Sequence, residues 1–346
     1  MTIRYEFDNR PDAGKTMAVA DGVQWLRMPL PFALNHINLW LLRDDPGWAI
    51  VDTGVGTEET QQVWATIFTE AMSDAPATHI IATHMHPDHV GCAGWLARKF
   101  AVDLWMTRDE YMMCRILVAD TGRDAPAEGL QFYAAAGFSQ QQLEVYRKFF
   151  GFFGKFVTPI PEAFKRMAYR DVLDIGGASW EVITGGGHSP EHACLYDGAR
   201  NILISGDQLL PSISSNVSVW PTEPLANPLR EWFRSLRNLK DRVPADVLVL
   251  PSHGKPFRGA HERLDDLIRD HEEKLASLLD WCKEPRQAVD VFPALYKARI
   301  DDKNRIMATG EALAHLHYLV GRGDLTAEPD SKHVVWYRTA FHCGNT

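Results

Sequence analysis

Residues 80–91 read IIATHMHPDHVG, an apolar run that gives way to three histidines and an aspartate within six positions. Ile80, Ile81 and Ala82 read as the end of a buried strand, so the chain must turn out of a core with His84, His86, Asp88 and His89 at the turn. Polar groups carried that close to a core need partners. Imidazole nitrogen and carboxylate oxygen together suit a divalent cation, Zn²⁺ best of all. In an extended or turning segment the alternate residues His84 and His86 can point the same way and share one cation. Asp88 and His89 then fall on the first turn of the next element, where they can face a second position close by. The stretch reads as a ligand segment for one or two metals.

A chain of 346 residues has room for a core domain of about 250 residues and a smaller appendage. Its composition, 45% hydrophobic and 23% charged, is that of a folded protein, and no apolar stretch approaches the roughly 18 residues that span a bilayer. The opening MTIRYEFDNR lacks the basic and then apolar layout of an export signal, which gives a cytoplasmic expectation. Cys92, Cys114, Cys194, Cys282 and Cys343 are scattered, odd in number and without CxxC spacing, as suits a reducing compartment; none reads as a zinc ligand. A net charge of −9 leaves no basic footprint for nucleic acid.

Along the chain, VQWLRMPL, INLWLLRD and WAIVDTGVG read as strands, TEETQQVWATIFTEAM as a helix with a Thr start, and HIIATH as a strand again. Residues 88–100 are predicted to continue as one helix and VDLWMT as a strand. From 108 to 168 the pattern becomes helical and carries more aromatic residues than one amphipathic face needs, including Phe149 and Phe150. This insertion is expected to act as a lid beside the site or as a dimer contact. Strands resume with SWEVITGG, HACLYDG and NILISGD, then a helix PLREWFRSLRNLKDR and a strand DVLVLPSHG. Three of these later strands finish on a metal-type residue near glycine: His188 in GGGHSPEH, Asp207 in SGDQ and His253 in PSHG. Strand-end loops of a layered α/β fold are where its chemistry usually sits.

The ordered set VDTG, THMHPDHVG, GGGHSPEH, SGDQ and PSHG resembles the metallo-β-lactamase-fold superfamily, and within it the glyoxalase II-like hydrolases, over roughly residues 20 to 260. The resemblance implies a four-layer αββα fold in a catalytic domain spanning residues 1–260. It implies His84, His86 and His188 on one metal, Asp88, His89 and His253 on the other, and Asp207 bridging them. Asp52 of VDTG would orient a ligand histidine by hydrogen bonding without touching metal. The implied cofactors are two Zn²⁺ per chain, with Fe or Mn as alternatives at one position.

Two adjacent cations can hold a bridging water and lower its pKa to about 7, so the implied reaction is attack of that hydroxide on an activated carbonyl. Asp88 and Asp207 are the catalytic candidates, orienting the nucleophile and passing its proton to the leaving group. A thioester, ester or lactone, a small molecule with an apolar acyl group, is the expected substrate. Its binding residues are not identified; Asn35 and His36 fall near the same face. Residues 261–346 form a helical appendage ending in a short β-ribbon, similar to the winged-helix-like domain of some hydrolases of this fold. A homodimer through this appendage or the insertion is the expected assembly. The competing readings are a metal-dependent ribonuclease and a mononuclear-iron persulfide dioxygenase. The first meets a balanced charge, nine Lys and Arg against eight acidic residues between 283 and 338, where a phosphate-tracking surface needs a basic excess.

Overall fold

The structure, a computed structural model, describes residues 3–31 and 34–340. Its strands run β1 (Arg4–Tyr5), β2 (Thr16–Ala20), β3 (Val23–Pro29), β4 (His36–Arg43), β5 (Trp48–Val51), β6 (Ala77–Ile81), β7 (Leu104–Thr107) and β8 (Lys165–Met167). They continue with β9 (Val172–Ile175), β10 (Ala178–Gly185), β11 (His192–Asp197), β12 (Ile202–Gly206), β13 (Leu248–Pro251), β14 (Phe257–Arg258), β15 (Leu325–Pro329) and β16 (Val335–Thr339). One seven-stranded sheet runs β2-β3-β4-β5-β6-β7-β8, antiparallel as far as β5 and parallel beyond it. The other runs β1-β14-β13-β12-β11-β10-β9, with β12 and β13 parallel.

Period-2 alternation decides which side chains meet. β3 sends Val23 and Trp25 into the layer between the sheets, against Trp40, Trp180 and Val182, and sends Leu26 and Met28 to the helix-covered side. Trp25 and Trp40 are fully buried and stack with centroids 6.2 Å apart. Truncating such a side chain costs about 3–5 kcal/mol. Helices Glu58–Glu70, Ala93–Phe100 and Arg108–Ala119 cover the outer face of the first sheet through Trp64, Ile67, Leu96 and Tyr111. The first begins where Thr57 accepts from Thr60 N–H at 3.3 Å, the start that its Thr implied. On the second sheet, the C-terminal half of helix Pro228–Arg242 is held by Arg242 to Glu181 of β10. The layers are helix, sheet, sheet, helix, the metallo-β-lactamase fold that the motif order implied.

The chain divides into two compact units, each gathered from three stretches: Met1–Gly122, Gly151–Ser215 and Leu236–Leu264 in the first, Arg123–Phe150, Asn216–Ser235 and Asp265–Thr346 in the second. This division interleaves along the sequence rather than cutting it once near residue 260. The aromatic insertion is shared between the units. Tyr133, Phe138, Leu143 and Tyr146 make a buried cluster with Val289 and Ile306, all within the second unit, so much of the aromatic excess forms a core of its own. In the second unit, helix Arg305–Arg322 is followed by the β15-β16 hairpin, the expected helices and ribbon. Residues 88–100 depart from one continuous helix: a single turn, Pro87–Val90, precedes the helix Ala93–Phe100. Gly91 sits at the break, packed so closely on Pro87 and Gly56 backbone that a side chain there would collide. Cys92, Cys114, Cys194 and Cys282 are free and buried, and Cys343 lies outside the described residues. No described helix is long and apolar enough to cross a membrane.

Candidate metal centre

The site gathers where strands of the first unit end. His84 and His86 follow β6, and Asp88 and His89 ride on the one-turn helix Pro87–Val90, whose Pro87 fixes the entry from an extended His86. His188 follows β10, Asp207 follows β12 and His253 follows β13. The turn after β12 needs Gly206: its φ is +51°, and a Cβ would stand 2.4 Å from His192 Nε2.

All seven sequence-derived ligand candidates come together, in two groups that could each hold a cation: His84, His86, His188 and Asp207, and then Asp88, His89 and His253. A cation held tetrahedrally at about 2.0–2.1 Å from nitrogen has its donors about 3.3 Å apart. His84 Nε2 lies 3.3 Å from His188 Nε2 and 2.8 Å from His86 Nδ1, and His188 Nε2 lies 3.4 Å from Asp207 Oδ2. In the second group His253 Nε2 and His89 Nε2 stand 3.4 and 3.7 Å from Asp88 Oδ2. The other oxygen of Asp207, Oδ1, faces this group, 3.5 Å from His253 Nε2 and 3.6 Å from His89 Nε2. His89 Nε2 and Asp207 Oδ1 are buried with no hydrogen-bond partner among the described residues. Buried polar atoms left so are costly, and a cation between them removes the cost. The donor set fits metal.

The two groups differ electrostatically. Burial, then the neighbouring imidazoles, holds His84 well below the usual histidine range and brings His86 down to about 3, so both rings are neutral with lone pairs to offer. Burial pushes the Asp207 carboxyl up, but His253 and His89 outweigh it and hold it well below the usual range. Burial likewise raises Asp88, and His89 and His253 more than reverse it. His89 and His253 move upward against burial, drawn by Asp52, Asp88 and Asp207 at the first and by Asp207 and Asp88 at the second. Asp88 and Asp207 are therefore ionised at neutral pH.

Around the ligands stands a layer of hydrogen bonds. Asp52, with φ at +62°, accepts from Thr83 N–H at 2.8 Å and faces His89 Nδ1 at 2.8 Å. Thr83 Oγ1 also reaches Asp52, and it lies 3.1 Å from His84 Nδ1. Two supports went unassigned in the sequence. Glu110, fully buried on helix Arg108–Ala119, accepts from Met85 N–H at 2.9 Å and from Glu191 N–H at 2.8 Å, joining the His84–His86 turn to the His188 loop. His192 Nε2 accepts from Asp207 N–H at 3.0 Å. His192 stands in the quoted GGGHSPEH, and its place on β11, packed under His84 at 4.8 Å, distinguishes it from a ligand.

A family model described as the metallo-beta-lactamase superfamily matches residues 34–253, and one described as the metallo-beta-lactamase-like C-terminal domain matches residues 275–340. A beta-lactamase domain protein from Burkholderia ambifaria is 40% identical, with a TM-score of 0.89 over 98% of each chain. A metallo-beta-lactamase family protein from Thermus thermophilus is 25% identical, with a TM-score of 0.78 over 93% of this chain and 100% of that one. The acyl-coenzyme A thioesterase MBLAC2 of Homo sapiens is 26% identical over 208 residues, 55% of this chain and 64% of that protein.

Proposed function

The chain belongs to the metallo-beta-lactamase superfamily, and on that premise we propose that it is a dinuclear metal-dependent hydrolase of activated carbonyl compounds, thioesters first among them. One observation carries the dinuclear reading: Asp207 turns Oδ2 to one donor group at 3.4 Å and Oδ1 to the other at 3.5 Å. In this reading His84, His86 and His188 hold one cation, Asp88, His89 and His253 the other, and Asp207 spans both. Zn²⁺ suits the set, with Fe or Mn as alternatives at one position. When bound, the pair supplies an acidified water and a polarised carbonyl.

The chain's own residues supply the rest. Asp88 is an ionised carboxylate whose side chain keeps 19% of its surface exposed, so the oxygen not turned to His253 and His89 can take a proton from water and return it to the departing group. Asp207, more deeply buried, holds the two groups at a fixed separation. Asp52 and Thr83 keep His89 and His84 aimed, and Glu110 keeps the two ligand loops in step. Similarity to a human acyl-coenzyme A thioesterase supports the choice of a thioester. A mononuclear iron dioxygenase would share this histidine-rich motif, and the metal content separates it from the hydrolase.

Elemental analysis of protein purified without added metal is expected to give close to two equivalents of Zn, or of Zn mixed with Fe or Mn. A panel of acyl thioesters, aryl esters, lactones, a phosphodiester and a short RNA is expected to show thioester or ester hydrolysis, abolished by chelator and restored by Zn²⁺. A single tightly bound iron, or salt-sensitive RNA cleavage without carboxylic ester turnover, would overturn this assignment.

A further inference from the structure

Arg27 is a half-buried guanidinium with no ion pair or hydrogen bond to any described residue, and its Nε is fully buried without a partner. It lies on β3 opposite Asn38 of β4, two pairs before Pro29 meets His36, so residues 27 and 36 are diagonal neighbours on one face of the sheet. His36 is joined to the metal centre. Its carbonyl lies 2.9 Å from His253 Nδ1, its Nε2 accepts from Gly254 N–H at 3.3 Å, and its ring centroid stands 6.2 Å from that of His253. Asn38 Nδ2 donates to the carbonyls of Pro251 and Gly254, at 2.8 Å each, tying β4 to the same strand end.

The Arg27 guanidinium has no paired carboxylate among the described residues. Burial, then Arg27, His253 and Arg10, brings His36 down to about 4, so both arginines act on that ring. Burial and then Arg10 bring Arg27 down to about 10, and no carboxylate is among the groups acting on Arg27. Lys255, two residues after His253, donates to the Asp8 carbonyl at 2.7 Å, bringing a third cation to the segment that carries Arg10. Arg27 is thus an unpaired cation on a chain of net charge −9. A partly desolvated cation without a counter-charge is unfavourable, and the guanidinium fork matches the two oxygens of a carboxylate or phosphate.

We propose that Arg27, with Arg10 and Lys255 at its rim, is an anion-binding subsite beside the metal centre, and that the substrate carries an oxyanion at the end lying over β3 and β4. The oxyanion is a phosphate if it belongs to the leaving thiol and a carboxylate if it belongs to the acyl group. This substrate class rests on the hydrolase reading above.

The test is calorimetric binding to the metal-loaded protein of three thioethers, which cannot be hydrolysed: S-butyl coenzyme A, S-butyl N-acetylcysteamine and S-carboxypropyl N-acetylcysteamine. Wild-type protein is expected to bind one charged analogue roughly tenfold or more tightly than the neutral one. Which one it prefers identifies the source of the anion. That preference should shrink toward unity in Arg27→Gln, persist in part in Arg27→Lys, weaken in Arg10→Gln, where the side chain is exposed and folding is not at issue, and fall with added salt in wild type. Equal affinity of the wild type for all three, or a preference that survives both Gln substitutions, would overturn the subsite. Binding without thioester, ester or lactone turnover in the enzymatic panel would instead retire the hydrolase assignment and leave the subsite standing.

Discussion

Replacing Asp52 with Asn keeps the size of the side chain and removes one acceptor. Asp52 Oδ1 accepts from Thr83 N–H at 2.8 Å, and Oδ2 lies 2.8 Å from His89 Nδ1. An amide offers one oxygen. With that oxygen on Thr83 N–H, the NH₂ confronts His89 Nδ1, and the ring must bare Nδ1 and carry its proton on Nε2. Nε2 faces Asp88 Oδ2 at 3.7 Å and Asp207 Oδ1 at 3.6 Å, so the nitrogen meant to hold a cation becomes a donor. Losing a hydrogen bond to a charged group costs about 1.5–3 kcal/mol, which is roughly 10–100-fold in affinity. Carboxylates behind metal-bound histidines have effects of this size. Competition titration against a chromophoric chelator, with Co²⁺ as a spectroscopic probe, separates the two positions. Asp52→Asn is expected to weaken the Asp88–His89–His253 position and to spare the other by comparison. A fall in thermal stability with metal affinity unchanged, or equal weakening at both positions, would refute this account of Asp52.

Glu110→Gln is expected to do the reverse. Its two oxygens serve Met85 N–H and Glu191 N–H, so an amide turns one contact into a donor facing a donor, and the same titration should show about tenfold weaker binding at the His84–His86–His188 position. The pH dependence of stability has a separate source in the second unit. His271 is brought down to about 2 by burial and then by His315, which is itself lowered; their rings lie 3.0 Å apart at His271 Nδ1 and His315 Nε2. The unfolded chain binds protons at these histidines below pH about 6.5 while the folded chain does not, so the stability they contribute is present above that pH and is lost as pH falls toward 2. The slope is up to about 1.4 kcal/mol per pH unit for each histidine. Urea unfolding of metal-free protein between pH 7 and pH 4 should therefore show a flatter pH dependence in His271→Leu than in wild type, and equal slopes would show that the pair does not titrate on unfolding.

Much of the candidate site was legible because each of its metal-type residues has a local signature in sequence. His84, His86, Asp88 and His89 follow one strand with the spacing that a turn and a single helical turn require, and His188, Asp207 and His253 each close an apolar run beside glycine. The alternating and helical periods likewise gave β3 to β7 and the helices Glu58–Glu70 and Pro228–Arg242 nearly as they occur. The break at Gly91 was not legible, because nothing in the local pattern shows that Gly56 backbone will pack against it.

What the tertiary structure alone decided are the partnerships across long separations. Periodicity says which face a residue takes and nothing about what lies opposite. Glu110 reads as an ordinary acid in the first turn of a helix until the fold brings Glu191, 81 positions away, to its carboxylate. Arg27 reads as a polar residue of an amphipathic strand, and only pairing with β4 sets it diagonally to His36, whose carbonyl meets His253. The aromatic residues from 133 to 146 read as part of a lid or a dimer contact; that they form a buried cluster with Val289 and Ile306, more than 140 positions further on, is visible only in the fold. Candidate ligands were legible locally because only particular side chains carry donor atoms that suit a cation. Supports, charges and cores were not, because burial and Coulomb energy depend on distance in space, which a sequence pattern does not carry.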